Sequence, residues 1–204
     1  MLTLLRELFA DRLGYHIALG MLYLRLKNYD QAERAIKTAA EIDPKSPEVY
    51  RSLGLFHRAK GNMAEAEQAF KKAYDLSPQT PSLAMVWVNF NLEIGKKEEA
   101  KHILAEIIAK NPSFLPARLR MAEIAFAERR FDDSQKVITK ILQLAPGNIE
   151  AQLLKIQTLL AQNKDVEAFK DCETIAASYP NSTVLKYRLA LFYLQEKNSA
   201  KDME

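Results

Sequence analysis

Three histidines, one cysteine and 26 acidic residues are the groups in this 204-residue chain that could hold a metal, supply a nucleophile or move a proton. Their spacing supports none of these. His16 and His57 have no second histidine, cysteine or carboxylate beside them at ligand spacing, and His102 stands apart from both. A lone thiol, Cys172, excludes an internal disulfide framework and a cysteine-rich zinc site. No glycine-rich phosphate loop, nucleophile elbow or HExxH run occurs. The carboxylates are scattered, as on solvated helix faces. The expectation is a chain with no catalytic residue, no cofactor and no metal.

The elements that must position any site are read from bulk numbers first. The chain is 48% hydrophobic and 27% charged, an ordinary composition for a soluble folded protein. Its net charge of +3 is far from the basic balance of a dedicated nucleic-acid binder. No apolar run approaches the roughly 18 residues of a membrane span. The start, MLTLLRELFAD, is interrupted by Arg6 and Glu7 and lacks the basic opening of a secretion signal. The expectation is a soluble segment, cytoplasmic or periplasmic, that inserts in no membrane.

Self-similarity gives the organisation. Pro44, Pro78, Pro112, Pro146 and Pro180 are separated by a constant 34 residues. Other columns keep the same step: Leu19, Leu53, Trp87 and Met121; Gly20, Gly54 and Ala122; Ala32, Ala66, Ala100 and Ala168, with Ser134 in the fourth copy; and Ile36, Phe70, Leu104, Ile138 and Cys172. His16 and His57 share columns with Tyr50 and Tyr23, which makes them packing residues, and Cys172 shares the Phe70 column, which makes it a buried thiol. Apolar residues recur every three or four places, so each copy reads as two helices. The expected pairs are 13–26 with 30–42, 47–60 with 63–76, 81–94 with 97–110, 115–128 with 131–144, and 149–162 with 165–178, followed by a helix over 183–196. Each proline follows a second helix, because it cannot continue one. Ser46-Pro47 and Thr80-Pro81 read as N-cap plus first-turn proline, and Asn148 and Ser182 as later caps. The Gly column is expected to face the Ala column within a pair. Val88 and Ile156 replace the small residue, and Lys155 stands in the Leu19 column, so altered packing is expected in the third and fifth units.

This pattern resembles the tetratricopeptide repeat family, over almost the whole chain. The second copy carries it best, with Tyr50, Leu53-Gly54, Ala66, Phe70, Ala73 and Pro78 at the family's spacings; the first matches with Leu19-Gly20, Tyr23, Ala32, Ile36, Ala39 and Pro44. The resemblance implies an all-α, right-handed superhelical solenoid of antiparallel helix pairs. The repeats are 13–46, 47–80, 81–114, 115–148 and 149–182, with 183–204 a partial sixth. Residues 1–12 are read as an N-terminal helix or the end of a preceding repeat, since Leu2 and Leu5 fall in second-helix columns. The chain is expected to be a piece of a longer array, with ordinary capping helices as the alternative.

The resemblance also implies a role, protein binding in a concave groove lined by first helices. Carried onto this sequence, the inward residues are Ile17, Met21 and Leu24; Arg51, Leu55 and Arg58; Met85, Asn89 and Leu92; Leu119, Glu123 and Phe126; and Leu153, Gln157 and Leu160, each set preceded by Gly14, Glu48, Ser82, Pro116 or Glu150. Ten of these twenty are large and apolar, which marks a contact surface unless the array covers it. RNA-reading arrays need polar and basic residues recurring in the groove columns, which here are largely apolar. Some relatives grip a C-terminal carboxylate with Lys, Asn and Arg. Here Asn89 and Arg120 fit one piece of that set, while Met85 and Glu150 stand at lysine places. The expected role is a non-catalytic scaffold that binds a peptide or helical segment with apolar side chains. The alternative is a structural segment of a longer array that self-associates through its terminal helices. Similar repeats occur in bacterial envelope and polysaccharide-export assemblies.

Overall fold

The computed structural model describes residues 12–183, 186–187 and 189–191. The expected helices 2–9 and, in part, 183–196 lie outside the described residues. Ten helices are described: α1 (Arg12–Arg25), α2 (Tyr29–Ile42), α3 (Pro47–Ala59), α4 (Met63–Leu76), α5 (Pro81–Glu93), α6 (Lys97–Lys110), α7 (Leu115–Ala127), α8 (Phe131–Leu144), α9 (Ile149–Ala161) and α10 (Asp165–Ser178). Residues 183, 186–187 and 189–191 are also helical, and no strand occurs among the described residues. The chain divides into two compact units, Met1–Pro112 and Ser113–Glu204.

The repeat period governs the turns as well as the helices. Pro44 follows Asp43 in a turn closed by the Ser46 amide donating to the Asp43 carbonyl at 3.3 Å. The same bond closes the turns at Pro78, Pro146 and Pro180, at 3.0 to 3.1 Å. Proline is preset for the second position of such a turn. Between the helices of a pair, one residue per repeat takes positive φ: Lys27, Gly61, Gly95, Arg129 and Asn163, again 34 apart. Behind each, two amides bond back to the first helix, as Lys27 does to Leu24 at 3.0 Å and Asn28 to Tyr23 at 2.9 Å. These bonds cap the carbonyls that the helix end leaves without partners.

Two of the expected caps work differently. Ser46 and Thr80 hold the N-cap place with extended backbone, but neither side chain accepts a capping bond. The Thr80 hydroxyl is 2.7 Å from that of Ser77 instead. Asn148 does cap, accepting from the Ala151 amide at 2.8 Å, and Asn28 caps α2 in the same way through Gln31.

In the first unit the core lies between helix pairs. Phe56 of α3 packs with Ala32 and Ile36 of α2, with Leu24 and Leu53 against them. One repeat on, the rings of Phe90 and Phe70 are 4.9 Å apart, and Trp87 stacks on Phe90 at 6.0 Å. Within a pair, Gly54 lies nearest Phe70 and Gly20 nearest Ile36, with the carbonyl of Ala32, in the expected Ala column, also beside Gly20. The bulky second-helix column therefore lies over the glycine, and the missing side chain makes room for it.

In the second unit, Ala122, Ile138 and Leu154 form one cluster. Leu153, Ile156, Leu159, Ala168, Cys172, Ile175 and Leu189 form another, with the Cys172 thiol buried as expected. The two helices of a pair lie against each other most extensively in the glycine pairs, less with Ala122, and least with Val88 and Ile156. Lys155, out of pattern in an apolar column, is held 2.8 Å from Asp171 of α10.

Candidate functional site

Side chains at i, i+4 and i+7 share one face of a helix. In the first unit this puts Ile17, Met21 and Leu24 together on α1, Arg51, Leu55 and Arg58 on α3, and Met85, Asn89 and Leu92 on α5. First helices of successive pairs also touch, α1 against α3 and α3 against α5. The six apolar members of this set are all half-buried, each giving part of its surface to the fold and part to solvent. Leu24 packs against the Phe56 cluster. Asn89 is exposed among them.

The charges on this face are already paired. Arg51 Nε lies 2.6 Å from Glu48 Oε2 on its own helix. Arg58 reaches across to α5, where its Nη1 is 3.4 Å from Glu93 Oε2. Such exposed pairs contribute only about 0–1 kcal/mol each. They leave the face close to neutral, with apolar surface between the pairs.

In the second unit the same positions are more deeply used by the fold. Leu119 and Phe126 pack on the Ala122–Ile138–Leu154 cluster. Leu153 is only 5% exposed, within the cluster that includes Leu189, and Leu160 packs against it. Glu123 pairs with Arg120 at 2.7 Å, and Gln157 is exposed. Tyr187 and Leu191, which the sequence reading did not include, are 65% and 41% exposed. Adding one period to Leu153 and Gln157 gives these two positions.

The chemistry-bearing residues sit as packing and surface groups. His16 meets Tyr15 edge-on at 5.1 Å between ring centroids, and His57 meets Phe56 likewise at 5.4 Å. His102 is exposed, with Nδ1 3.6 Å from Glu106 Oε1. Among the described residues no group of three His, Cys, Asp or Glu could hold a metal ion, and no helix is long and apolar enough to cross a membrane.

Solved structures share this architecture. A tetratricopeptide repeat protein from Parabacteroides merdae has 17% identity and a TM-score of 0.73, covering 95% of this chain and 77% of its own. MamA from Desulfovibrio magneticus has 16% identity and a TM-score of 0.67, covering 86% and 99%. YrrB, described as a TPR protein with an unusual peptide-binding site, has 16% identity and a TM-score of 0.60, covering 85% and 89%. At such identities the likeness is one of fold. No curated protein matches the chain. Two family models do, both described as tetratricopeptide repeat: one over residues 17–81, the other over 57–122 and 95–157. These matches run across the helix pairs, turns and glycine contacts described above, and the chain belongs to the tetratricopeptide repeat family.

Proposed function

We propose that this chain is a non-catalytic protein-binding scaffold, and that the first-helix face of its first unit holds an extended or helical segment of a partner through apolar side chains. The observation that carries this is the partial exposure of Ile17, Met21, Leu55, Met85 and Leu92 on three touching helices. Apolar side chains gathered on a surface mark a contact site. Met21 and Met85 add an adaptable surface that can follow an irregular partner. With Arg51 and Arg58 committed to Glu48 and Glu93, the face favours apolar anchors over a charged terminus. The structural likeness to YrrB, with its peptide-binding site, is in keeping with a peptide ligand. In the second unit, Leu119, Glu123, Phe126, Gln157 and Leu160 hold the corresponding repeat positions, as do Tyr187 and Leu191. No role in reading nucleic acid is proposed, since this face offers few free cations.

The experiment is selection of linear peptides from a random display library on the purified chain, followed by methyl chemical-shift mapping of the best binder. The expected peptides carry apolar residues at helical or alternate spacing, and they shift the methyls of Met21, Leu55 and Met85. Shifts confined to second helices would move the site elsewhere.

A second reading has its own observation. Leu22 on α1 and Leu26 just past its end are large, apolar and exposed, as at an edge where another helix stacks. In that reading the chain is a structural segment of a longer array.

A further inference from the structure

Charge is spread unevenly along the first helices of the first unit. Their leading halves, residues 13–20, 47–54 and 81–88, hold one carboxylate and one cation, Glu48 and Arg51. Those two are paired on α3 at 2.6 Å. The trailing halves with their turns, residues 21–28, 55–62 and 89–96, hold Arg25, Lys27, Arg58, Lys60 and Lys96 against a single carboxylate, Glu93, and all six are exposed. Lys96 is taken by Glu67 of α4, and Lys60 lies over the Phe56 ring at 5.3 Å. The carboxylates Asp30, Glu65, Glu98 and Glu99 stand in the first turns of second helices, which do not form this face. Each first-helix C-terminus offsets about half a charge, and an excess of positive charge remains at the trailing end.

The two ion pairs on the face also differ in grip. Arg51 is 30% exposed and held within its own helix. Arg58 reaches across to Glu93 of α5 at 3.4 Å, with side chains 43% and 42% exposed. A pair of that length and exposure holds weakly, so a better-placed carboxylate can replace Glu93. Arg58 stands three residues after Leu55 on the same side of α3.

We propose that Arg58 is a specificity-determining residue of this face, and that it selects partner segments with an Asp or Glu side chain on the trailing side of an apolar anchor. The inference rests on the partner-binding reading above and narrows it. With the anchor on Leu55, the partner's carboxylate takes the Arg58 guanidinium from Glu93. Glu93 stays at the surface and keeps its hydration, so the exchange costs little. A partner's lysine or arginine in that place would have one carboxylate to meet among five cations.

The test runs the peptide selection on three proteins: wild type, Arg58→Glu and Glu93→Gln, with helical circular dichroism confirming that each is folded. Peptides selected on wild type should carry Asp or Glu on one side of their apolar residues. Those selected on Arg58→Glu should carry Lys or Arg there instead. Glu93→Gln frees Arg58 without changing its shape, and should bind the wild-type-selected peptide about fivefold more tightly, a gain that fades as salt rises. Peptides that shift the Met21, Leu55 and Met85 methyls but show no acidic bias would overturn this inference and leave the partner-binding reading standing. So would a Glu93→Gln protein that binds no more tightly than wild type. Peptides that shift only second-helix methyls would overturn both.

Discussion

A Cβ added to Gly54 would lie 2.5 Å from Cδ1 of Phe70, closer than real side-chain contacts come. The second helix pair is thus fitted around an absent side chain. Gly54→Ala gains about 0.8–1 kcal/mol of helix propensity. Overpacking costs about 1–3 kcal/mol. The net expectation is a loss of stability of up to about 2 kcal/mol, since the obstacle is an aromatic ring 2% exposed. Adding Phe70→Leu should recover part of that loss, so the double variant is more stable than the two single losses sum to. Denaturant melts of the four proteins decide it; strict additivity would mean that Gly54 and Phe70 do not share the contact.

The positive-φ turn column gives a prediction of opposite sign. Lys27 and Arg129 occupy, at φ 56° and 59°, the place held by Gly61 and Gly95 at φ 81°. The left-handed conformation costs a residue with a Cβ roughly 1–2 kcal/mol. Glycine gives back about 0.4–1 kcal/mol through the freedom of the unfolded chain. Lys27→Gly and Arg129→Gly should each stabilise the fold by up to about 1 kcal/mol, and Gly61→Ala should destabilise it by about as much. Thermal midpoints check the order, and a fall in either glycine variant would contradict it.

The helix pairs were legible in the sequence because prolines and apolar columns recur at one step, and helix ends fall within about two residues of where those columns place them. The turn column is hidden in the sequence, because Lys27, Arg129 and Asn163 stand at the position that Gly61 and Gly95 show plainly. That Phe70 is the nearest neighbour of Gly54 is not legible in the sequence, because spacing along a helix does not say which residue of the next helix fills a gap. The periodic first-helix positions are legible as a pattern, but their division between fold and surface is not. Leu153 and Leu55 look alike in sequence, and only packing makes one 5% exposed and the other half-exposed.

Acid should weaken a charge cluster in the first turn of α8. A hydrogen bond from Lys136, at 3.2 Å, and the nearby Arg130, at 3.1 Å, hold the Asp133 carboxyl below its ordinary pKa. A carboxyl lowered in the folded state adds stability above its unfolded pKa, and that contribution is lost as pH falls through the lower, folded value. In Lys136→Ala the Asp133 midpoint should rise toward the ordinary carboxylate value. Carbon-detected NMR titration of the two proteins measures it, and an unchanged midpoint would rule out Lys136 as the main cause.

The proposed partner-binding face is tested most directly by changing Met21, Leu55 and Met85 together to Asp. They come from three touching helices of one unit, and each is only half-buried. Leu119 is a poorer choice, because it packs on the Ala122 cluster of the second unit. Anchors of this kind often contribute more than about 1 kcal/mol each, so three should lower the affinity of a selected peptide roughly a hundredfold or more. The measurement is calorimetric titration of that peptide into wild type and triple variant, with helical circular dichroism recorded on both. The expected result is a folded variant whose binding is reduced at least that far. A folded variant that binds the peptide as wild type does would contradict the assignment of this face, and an unfolded one would show that the three side chains belong to the core.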